Sequence, residues 1–452
     1  MMNRRSFLAS AGAAAAAESQ SPVQRLMAAA LSDNAGWKRL EHLCDNIGHR
    51  LSGSPGMTRS IEWAVAEMRK DGLENVSAPE VMVPHWVRGE ESARLLAPRE
   101  TALPLLGLGG SIGTPSGGIT AETIAVESFD ELDSLGEAKI RGKIVVYAVP
   151  WDGYGKTVAY RTNGASRAAR LGAVASLVRG AGPLGHRTPH TGMMRYQDGI
   201  GQIPTAGISA EDAMMLLRLQ RSGIAAKVYL EMDARTLPDA KGANVIADWR
   251  GLEKPEEIVV LGGHFDSWDV GHGAHDDGAA CVACWTAVKL MKDLALRPRR
   301  TVRVVLFANE ENGLRGGRAY REWAGDAVKD HVAAIEMDGG CECPSGFGVT
   351  IQGAAPGVQD RAIAVLKDLA APLNPIRANE IVAGGGGADI GPIMREGVPG
   401  LALRTTGGRY FEWHHTQADT LDTVDPLHFR SAVAALAVMA YGLAESKTRL
   451  VA

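Results

Sequence analysis

The sequence predicts an α/β fold, a mostly parallel mixed sheet sandwiched by helices, interrupted by an inserted module with strands of its own. Three observations predict it. From about residue 240, short apolar runs rich in Val and Ile alternate with helical patterns, the order of a parallel sheet covered on both faces. Several of those runs end directly in His, Asp or Glu. Before them, the stretch from 98 to 233 repeats a strand–helix–strand rhythm of its own.

Residues 1–17 read as a targeting segment. Arg4-Arg5-Ser6-Phe7-Leu8 resembles a twin-arginine export signal, and the short apolar stretch to Ala17 ends in small residues that suit a signal peptidase. This implies a periplasmic or secreted protein. The main domain is then expected over 21–97 and 234–452, divided by the 98–233 module. Between Ala28 and Met68 two helical patterns flank a loop, Gly48 to Gly56, marked by its glycines and proline.

In the module, Lys143–Tyr147 reads as a strand, Ala165–Ala173 as a helix, and the run through Leu177 as the next strand. Ser209 is placed to cap a helix from Ala210, and Val228–Met232 closes the module as a last strand. Its element order and the segment Ile203-Pro204-Thr205-Ala206-Gly207-Ile208-Ser209 resemble the protease-associated domain. Beyond it, strands are expected at 244–249, 258–262, 301–308, 332–337, 347–351 and 401–404. Helices are expected at 278–294, 313–324, 358–369 and 427–445.

Composition narrows the function. The 452 residues allow two or three domains, and 45% hydrophobic with 22% charged residues is ordinary globular usage. A formal charge of -4 offers neither a nucleic-acid footprint nor a polybasic membrane patch. No apolar run reaches the roughly 20 residues of a membrane span. The five cysteines are an odd number, against a full disulfide framework, and Cys281 and Cys284 fall in an apolar helical pattern as small core residues. Oligomeric state stays open, a homodimer among the choices.

In open α/β sheets ligands bind outside the carboxyl ends of the strands. The run from Ile258 ends in His264-Phe265-Asp266, that from Val304 in Glu310-Glu311, and that from Val332 in Asp338. A loop with Asp276-Asp277 lies between the first two, and His414-His415 comes much later. Imidazoles and carboxylates in this number suit zinc. Two zinc ions carry four positive charges, which three carboxylates and one hydroxide would balance. Neighbours on a strand point opposite ways, so Glu310 and Glu311 cannot face one ion alike. One can ligate while the other stands beside the water.

This pattern resembles the co-catalytic zinc exopeptidases, a family that includes bacterial aminopeptidases and plasma glutamate carboxypeptidase (carboxypeptidase Q). The resemblance is carried by His264-Phe265-Asp266-Ser267-Trp268-Asp269-Val270-Gly271, by Asp276-Asp277-Gly278, and by Tyr410-Phe411-Glu412-Trp413-His414-His415. It implies two Zn²⁺ per chain and a peptide or dipeptide substrate. It implies that Asp276 bridges both ions, that His264 and Asp338 complete one, and that Glu311 and His415 complete the other. Glu310 is then the general base, Asp266 orients His264, and the Asp276-Asp277 bond is cis. His415 is preferred to His414 because the family's His-Thr-x-x-Asp-Thr pattern starts there. A single-zinc glutaminyl cyclase-like transferase and a non-catalytic transferrin-receptor-like module share the fold. The complete ligand set favours the peptidase.

Other features read as structural. Gly109-Gly110-Ser111-Ile112-Gly113 matches a serine nucleophile elbow, but Thr114-Pro115 follows where a helix is needed. The glycine run at 384–387 lacks the Lys-Ser/Thr of a phosphate loop. His272, His275 and His414 are expected to line the cleft or sit as satisfied histidines, His186 and His190 to lie in a solvated loop. Asp389 either lines the pocket or caps the next helix.

Overall fold

The computed structural model describes residues 20–183 and 185–451; the targeting segment lies outside them. The main sheet has eight strands in the spatial order Glu74–Ser77, Val245–Trp249, Arg300–Phe307, Lys254–His264, His331–Glu336, Gly400–Thr405, Pro344–Thr350 and Glu380–Ala383. The four strands from Arg300–Phe307 to Gly400–Thr405 run parallel, and Val245–Trp249 and Pro344–Thr350 join them antiparallel. All six strands expected in this part are present, and the four helices form as Ala279–Asp293, Arg315–Ala324, Val358–Ala370 and Pro426–Glu445.

The register explains the site. His264 pairs with Phe307, and Gly262 with Glu336. The residues just past each partner, Glu310-Glu311 and Asp338, therefore leave the sheet at the same edge as His264.

The larger core packs one face of this sheet around Ala279–Asp293 and Pro426–Glu445. Ala279–Asp293 is apolar almost all round, with Cys281, Cys284 and Trp285 fully buried. Burial at that level is worth about 1.5–3 kcal/mol for each large side chain, which fixes the helix behind the site. Pro426–Glu445 is the one described helix long and apolar enough to cross a membrane, but 72% of its apolar window is buried inside the protein. It packs on Pro22–Ser32 and Ala279–Asp293, so core packing accounts for its composition. A smaller cluster with Phe307, Tyr320 and Ile393 fills the opposite face. All five cysteines are free.

A second eight-stranded sheet is built from residues between 91 and 232. Four of its strands, Ile119–Val126, Ile144–Tyr147, Ala175–Arg179 and Thr205–Ile208, run parallel. It takes in Glu91–Ala97, paired with Lys227–Met232, ahead of the 98 boundary expected from the sequence. The chain enters and leaves it through one antiparallel ribbon, Glu80–Val87 with Arg235–Ala243. Ser209 caps its helix as expected, its side chain accepting the Asp212 N–H. The helix expected at Ala165–Ala173 instead spans Tyr154–Arg170. Its first half shows no clean apolar stripe because Tyr154 and Arg161 face the cleft between the two sheets.

Candidate metal centre

The parallel strands and two loops bring the expected residues to one cleft of about 380 Å³, where His264, Asp276, Glu310, Glu311, Asp338 and His415 all contribute to the lining. Asp276 is central. Its Oδ1 lies 3.1 Å from His264 Nε2, and its Oδ2 lies 3.2 Å from His415 Nε2. On the first side His264 Nε2 is also 3.6 Å from Asp338 Oδ1. On the second, His415 Nε2 is 3.0 Å from Glu311 Oε2. Asp276 is thus shared by two sets of donors. Two overlapping groups, His264–Asp276–Asp338 and Asp276–His414–His415, have their donor atoms within 4.8 Å of one another.

His414 enters the second group because it stacks on His415, ring centroids 3.6 Å apart. It stands farther from Asp276, at 3.7 Å. Of the two, His415 Nε2 is the nearer to Asp276. The backbone bends sharply there, with φ of +61° at His415.

The loop carrying Asp276 is tied down by backbone hydrogen bonds. Asp419 accepts the N–H groups of Ala274 and His275 on one oxygen and that of Asp276 on the other. Arg50 is fully buried and donates to the carbonyls of Gly48, Phe265, His272 and Gly273, knitting the whole 265–273 segment to the first loop. The Asp276-Asp277 bond is cis, as the resemblance implied, and Asp277 accepts the His264 N–H.

Asp266 departs from expectation. The partner of His264 Nδ1 is the Asp266 backbone carbonyl at 3.0 Å, while the carboxylate stays 3.8 Å away. The carboxylate instead accepts the backbone N–H groups of Glu310 and Glu311, at 2.9 and 3.3 Å.

Burial sets the electrostatics. Desolvation pushes the carboxyls of Glu310, Glu311 and Asp266 above their ordinary range, with neighbouring carboxylates adding to the effect at Glu310 and Glu311. Burial would raise Asp276 too, but the flanking imidazoles of His264 and His415 hold it well below. Burial lowers both histidines, and the carboxylates against them raise both well above the usual imidazole range. Asp276 Oδ2 and Glu311 Oε1 are buried and make no hydrogen bond of acceptable geometry. Orphaned carboxylate oxygens in an acid-rich cleft are the chemistry of a cation site.

The remaining candidates take ordinary places. His275 is satisfied by Thr423 and Cys341 and stacks on Trp413. His272 lies in the segment held by Arg50. His186 is exposed, but His190 is not in a solvated loop. It is buried, its Nδ1 is 2.8 Å from the His414 carbonyl, and burial holds its pKa down to about 3. Asp389 neither caps a helix nor lines the cleft; both its oxygens are buried without a partner. Ser111 lies in a turn, and its hydroxyl accepts the Thr205 N–H. Sequence reasoning missed Arg50 and Arg161, whose partners lie far away in the chain.

Residues 244–440 match peptidase family M28. The chain is 43% identical to carboxypeptidase Q of Mus musculus over 91% of this chain and 86% of that one. Against carboxypeptidase Q of Homo sapiens it is 41% identical, over 93% and 87%. Among solved structures it resembles a peptidase M28 precursor from Shewanella amazonensis, with a TM-score of 0.89 and 34% identity over 94% of this chain and 97% of that one. A zinc aminopeptidase from Bacillus subtilis shares the fold, with a TM-score of 0.67 at 19% identity over 92% and 96%. The carboxypeptidase Q relatives, matched over more than 90% of the chain, favour the peptidase over the transferase and non-catalytic readings, and the chain belongs to peptidase family M28.

Proposed function

We propose that this peptidase is a two-zinc exopeptidase that releases amino acids from dipeptides and short peptides with a free N-terminus. The observation that carries the reading is the position of Asp276, one carboxylate between two imidazoles, each imidazole with a second carboxylate of its own. His264 and Asp338 would hold one zinc, Glu311 and His415 the other, with Asp276 common to both. The donor set fits, since its nitrogen and oxygen atoms match zinc's preference and its orphaned oxygens gain a partner. When bound, zinc supplies Lewis-acid polarisation of the scissile carbonyl and a water acidified to near neutrality.

The chain's own groups do the rest. Glu310 lines the cleft and is left over when the five donors are assigned. Its burial raises its proton affinity, which suits a group that takes a proton from water and returns it to the leaving amine. Asp266 fixes the backbone beneath Glu310.

The 98–233 insertion is read as a protease-associated domain between the two parts of the catalytic domain, 21–97 and 234–452. Its contribution to the cleft through Tyr154, Arg161 and Met193 supports that reading. Export by a twin-arginine route, to the periplasm or outside, rests on Arg4-Arg5 and the residues after them.

The test combines elemental analysis of zinc-reconstituted protein with product analysis on a dipeptide panel. Two zinc ions per chain and free amino acids are expected. Glu310→Gln should keep both ions and lose about 10²- to 10⁴-fold in kcat. Undiminished hydrolysis in that variant, or one ion per chain at full activity, would overturn the assignment.

A further inference from the structure

Arg161 borders the cleft and, among the described residues, is paired with no anion. Arg161 and Tyr154 lie seven residues apart on the helix Tyr154–Arg170, hence on one face of it, and that face borders the cleft. Arg161 is only 8% exposed. Its Nη2 donates to the Tyr154 hydroxyl at 2.9 Å, its Nη1 to the Thr191 carbonyl at 3.4 Å, and its Nε is buried with no partner. None of these partners carries negative charge.

The guanidinium also lies over the Tyr154 ring, 5.5 Å from its centroid, and its contact of 3.3 Å from Nη1 to His415 Nδ1 would not survive metal binding as a hydrogen bond. A histidine that ligates through Nε2 carries its proton on Nδ1, here directed at the Thr191 carbonyl, and cannot accept from a guanidinium. The pocket is also shaped around the guanidinium. A Cβ on Gly192 would stand 2.2 Å from Nη1, and the φ of +131° there admits glycine readily. Holding a buried cation without an anion is costly, so the missing anion belongs to something that enters the cleft.

We infer that Arg161, carried by the inserted module, receives the free α-carboxylate of the residue after the scissile bond. The inference rests on the exopeptidase reading above. In a dipeptide that carboxylate lies roughly 4–5 Å from the scissile carbonyl carbon by standard bond lengths. Arg161 stands one imidazole ring behind the donor face of His415, which is a matching reach. Glu310, Asp338, Arg161 and the exposed Arg195 all line this cleft, which thus offers groups of both charges. A longer peptide puts a neutral amide where the guanidinium needs an anion.

The experiment compares one dipeptide as free acid and as C-terminal amide, with zinc-loaded wild type, Arg161→Met and Arg161→Lys. Wild type should favour the acid by about 10- to 100-fold in kcat/KM, the size of a charge-assisted hydrogen bond, expressed mainly in KM. Arg161→Met should bring the two substrates to within about threefold of each other, and Arg161→Lys should restore part of the preference. Equal cleavage of acid and amide by wild type overturns the inference while leaving the exopeptidase reading intact, and needs no variant to fold. Equal losses on both substrates in Arg161→Met, with the ratio kept, also overturn it, because Arg161 then acts only by holding His415. If wild type cleaves neither substrate, the exopeptidase reading falls and takes this one with it.

Discussion

The carboxylate of Asp266 accepts the backbone N–H of Glu310 at 2.9 Å, so the proposed base is positioned through its main chain by a residue on the neighbouring strand end. The same carboxylate takes the Glu311 N–H, and a buried acceptor that serves two donors stiffens the turn on which base and ligand both sit. Asp266→Asn keeps the shape but offers one acceptor oxygen in place of two. We expect kcat to fall about 10- to 100-fold with zinc content unchanged. A loss of zinc affinity at normal kcat would instead mean that Asp266 acts on His264, the role the sequence suggested.

His414 and His415 stack at 3.6 Å, yet only one has the reach of a ligand. His415 Nε2 lies within 3.2 Å of Asp276 and 3.0 Å of Glu311, whereas His414 Nε2 is 3.7 Å from Asp276. His415→Ala should therefore weaken one of the two ions by about 100-fold or more, and His414→Ala should keep two ions with kcat reduced by less than about tenfold. Zinc titration of both variants, monitored by elemental analysis after dialysis, reads the difference. Loss of an ion from His414→Ala alone would reverse the assignment.

The parallel strands were legible because they are apolar runs ending abruptly in His264, Glu310 and Asp338, and burial on both faces leaves no other pattern open to them. Glu80–Val87 was not, because Pro84 interrupts an alternation that is otherwise clear in buried Val81 and Val83. Phe129–Ile140 was missed for a similar reason: Gly136 takes a non-helical conformation inside it. Of the five proposed ligands, His264, Glu311 and Asp338 stand at or just past strand ends and Asp276 in a loop, whereas His415 follows a short helix and was singled out by the family's His-Thr-x-x-Asp-Thr pattern. Asp266 does meet its chain neighbour His264 through its carbonyl, whereas the partners of its carboxylate, the Glu310 and Glu311 N–H groups, depend on how two strand ends are brought together. Arg161 stayed hidden since its cleft partner, His415, is 254 residues away and the helix that carries it shows no periodicity there.

Metal removal should make stability fall with pH in a window set by buried carboxyls outside the donor set. Burial, and the charge of Asp276, push Asp419 up to about 7; burial, and the charge of Asp338, do the same to Glu336. A carboxyl raised in the folded state favours folding below its unfolded pKa, and that contribution is lost as pH rises through about 7. His190 and His331, lowered by burial to about 3 and about 4, work in the opposite sense, but only below the ordinary imidazole pKa. Between about pH 6.5 and about pH 8 the carboxyls contribute on the order of 1 kcal/mol each, opposed only at the lower end, where unfolded imidazoles are half protonated. His264 and His415, raised without metal, add to the same slope. Thermal melts of chelated protein at the two pH values should show the lower Tm at the higher pH, with the difference shrinking on zinc addition. A chelated protein that is equally stable at both, or more stable at the higher pH, contradicts this.

Arg50 supports the site from beneath without touching the cleft. It is completely buried, and its guanidinium donates to four carbonyls, those of Gly48, Phe265, His272 and Gly273, at 2.8–3.0 Å. Arg50→Met removes the donor to the buried carbonyls of Gly48, Phe265 and His272, while the Gly273 carbonyl keeps the Gly278 N–H. The expected cost is roughly 3 kcal/mol or more, read as a lower urea midpoint at unchanged m. Because three of those carbonyls, Phe265, His272 and Gly273, belong to the segment between His264 and Asp276, zinc affinity should fall together with stability. Arg50→Lys should recover little of either, since three donors on one nitrogen cannot span carbonyls spread along two loops. Full stability in Arg50→Met would show that packing of the 265–273 segment, and not this guanidinium, holds Asp276 in place.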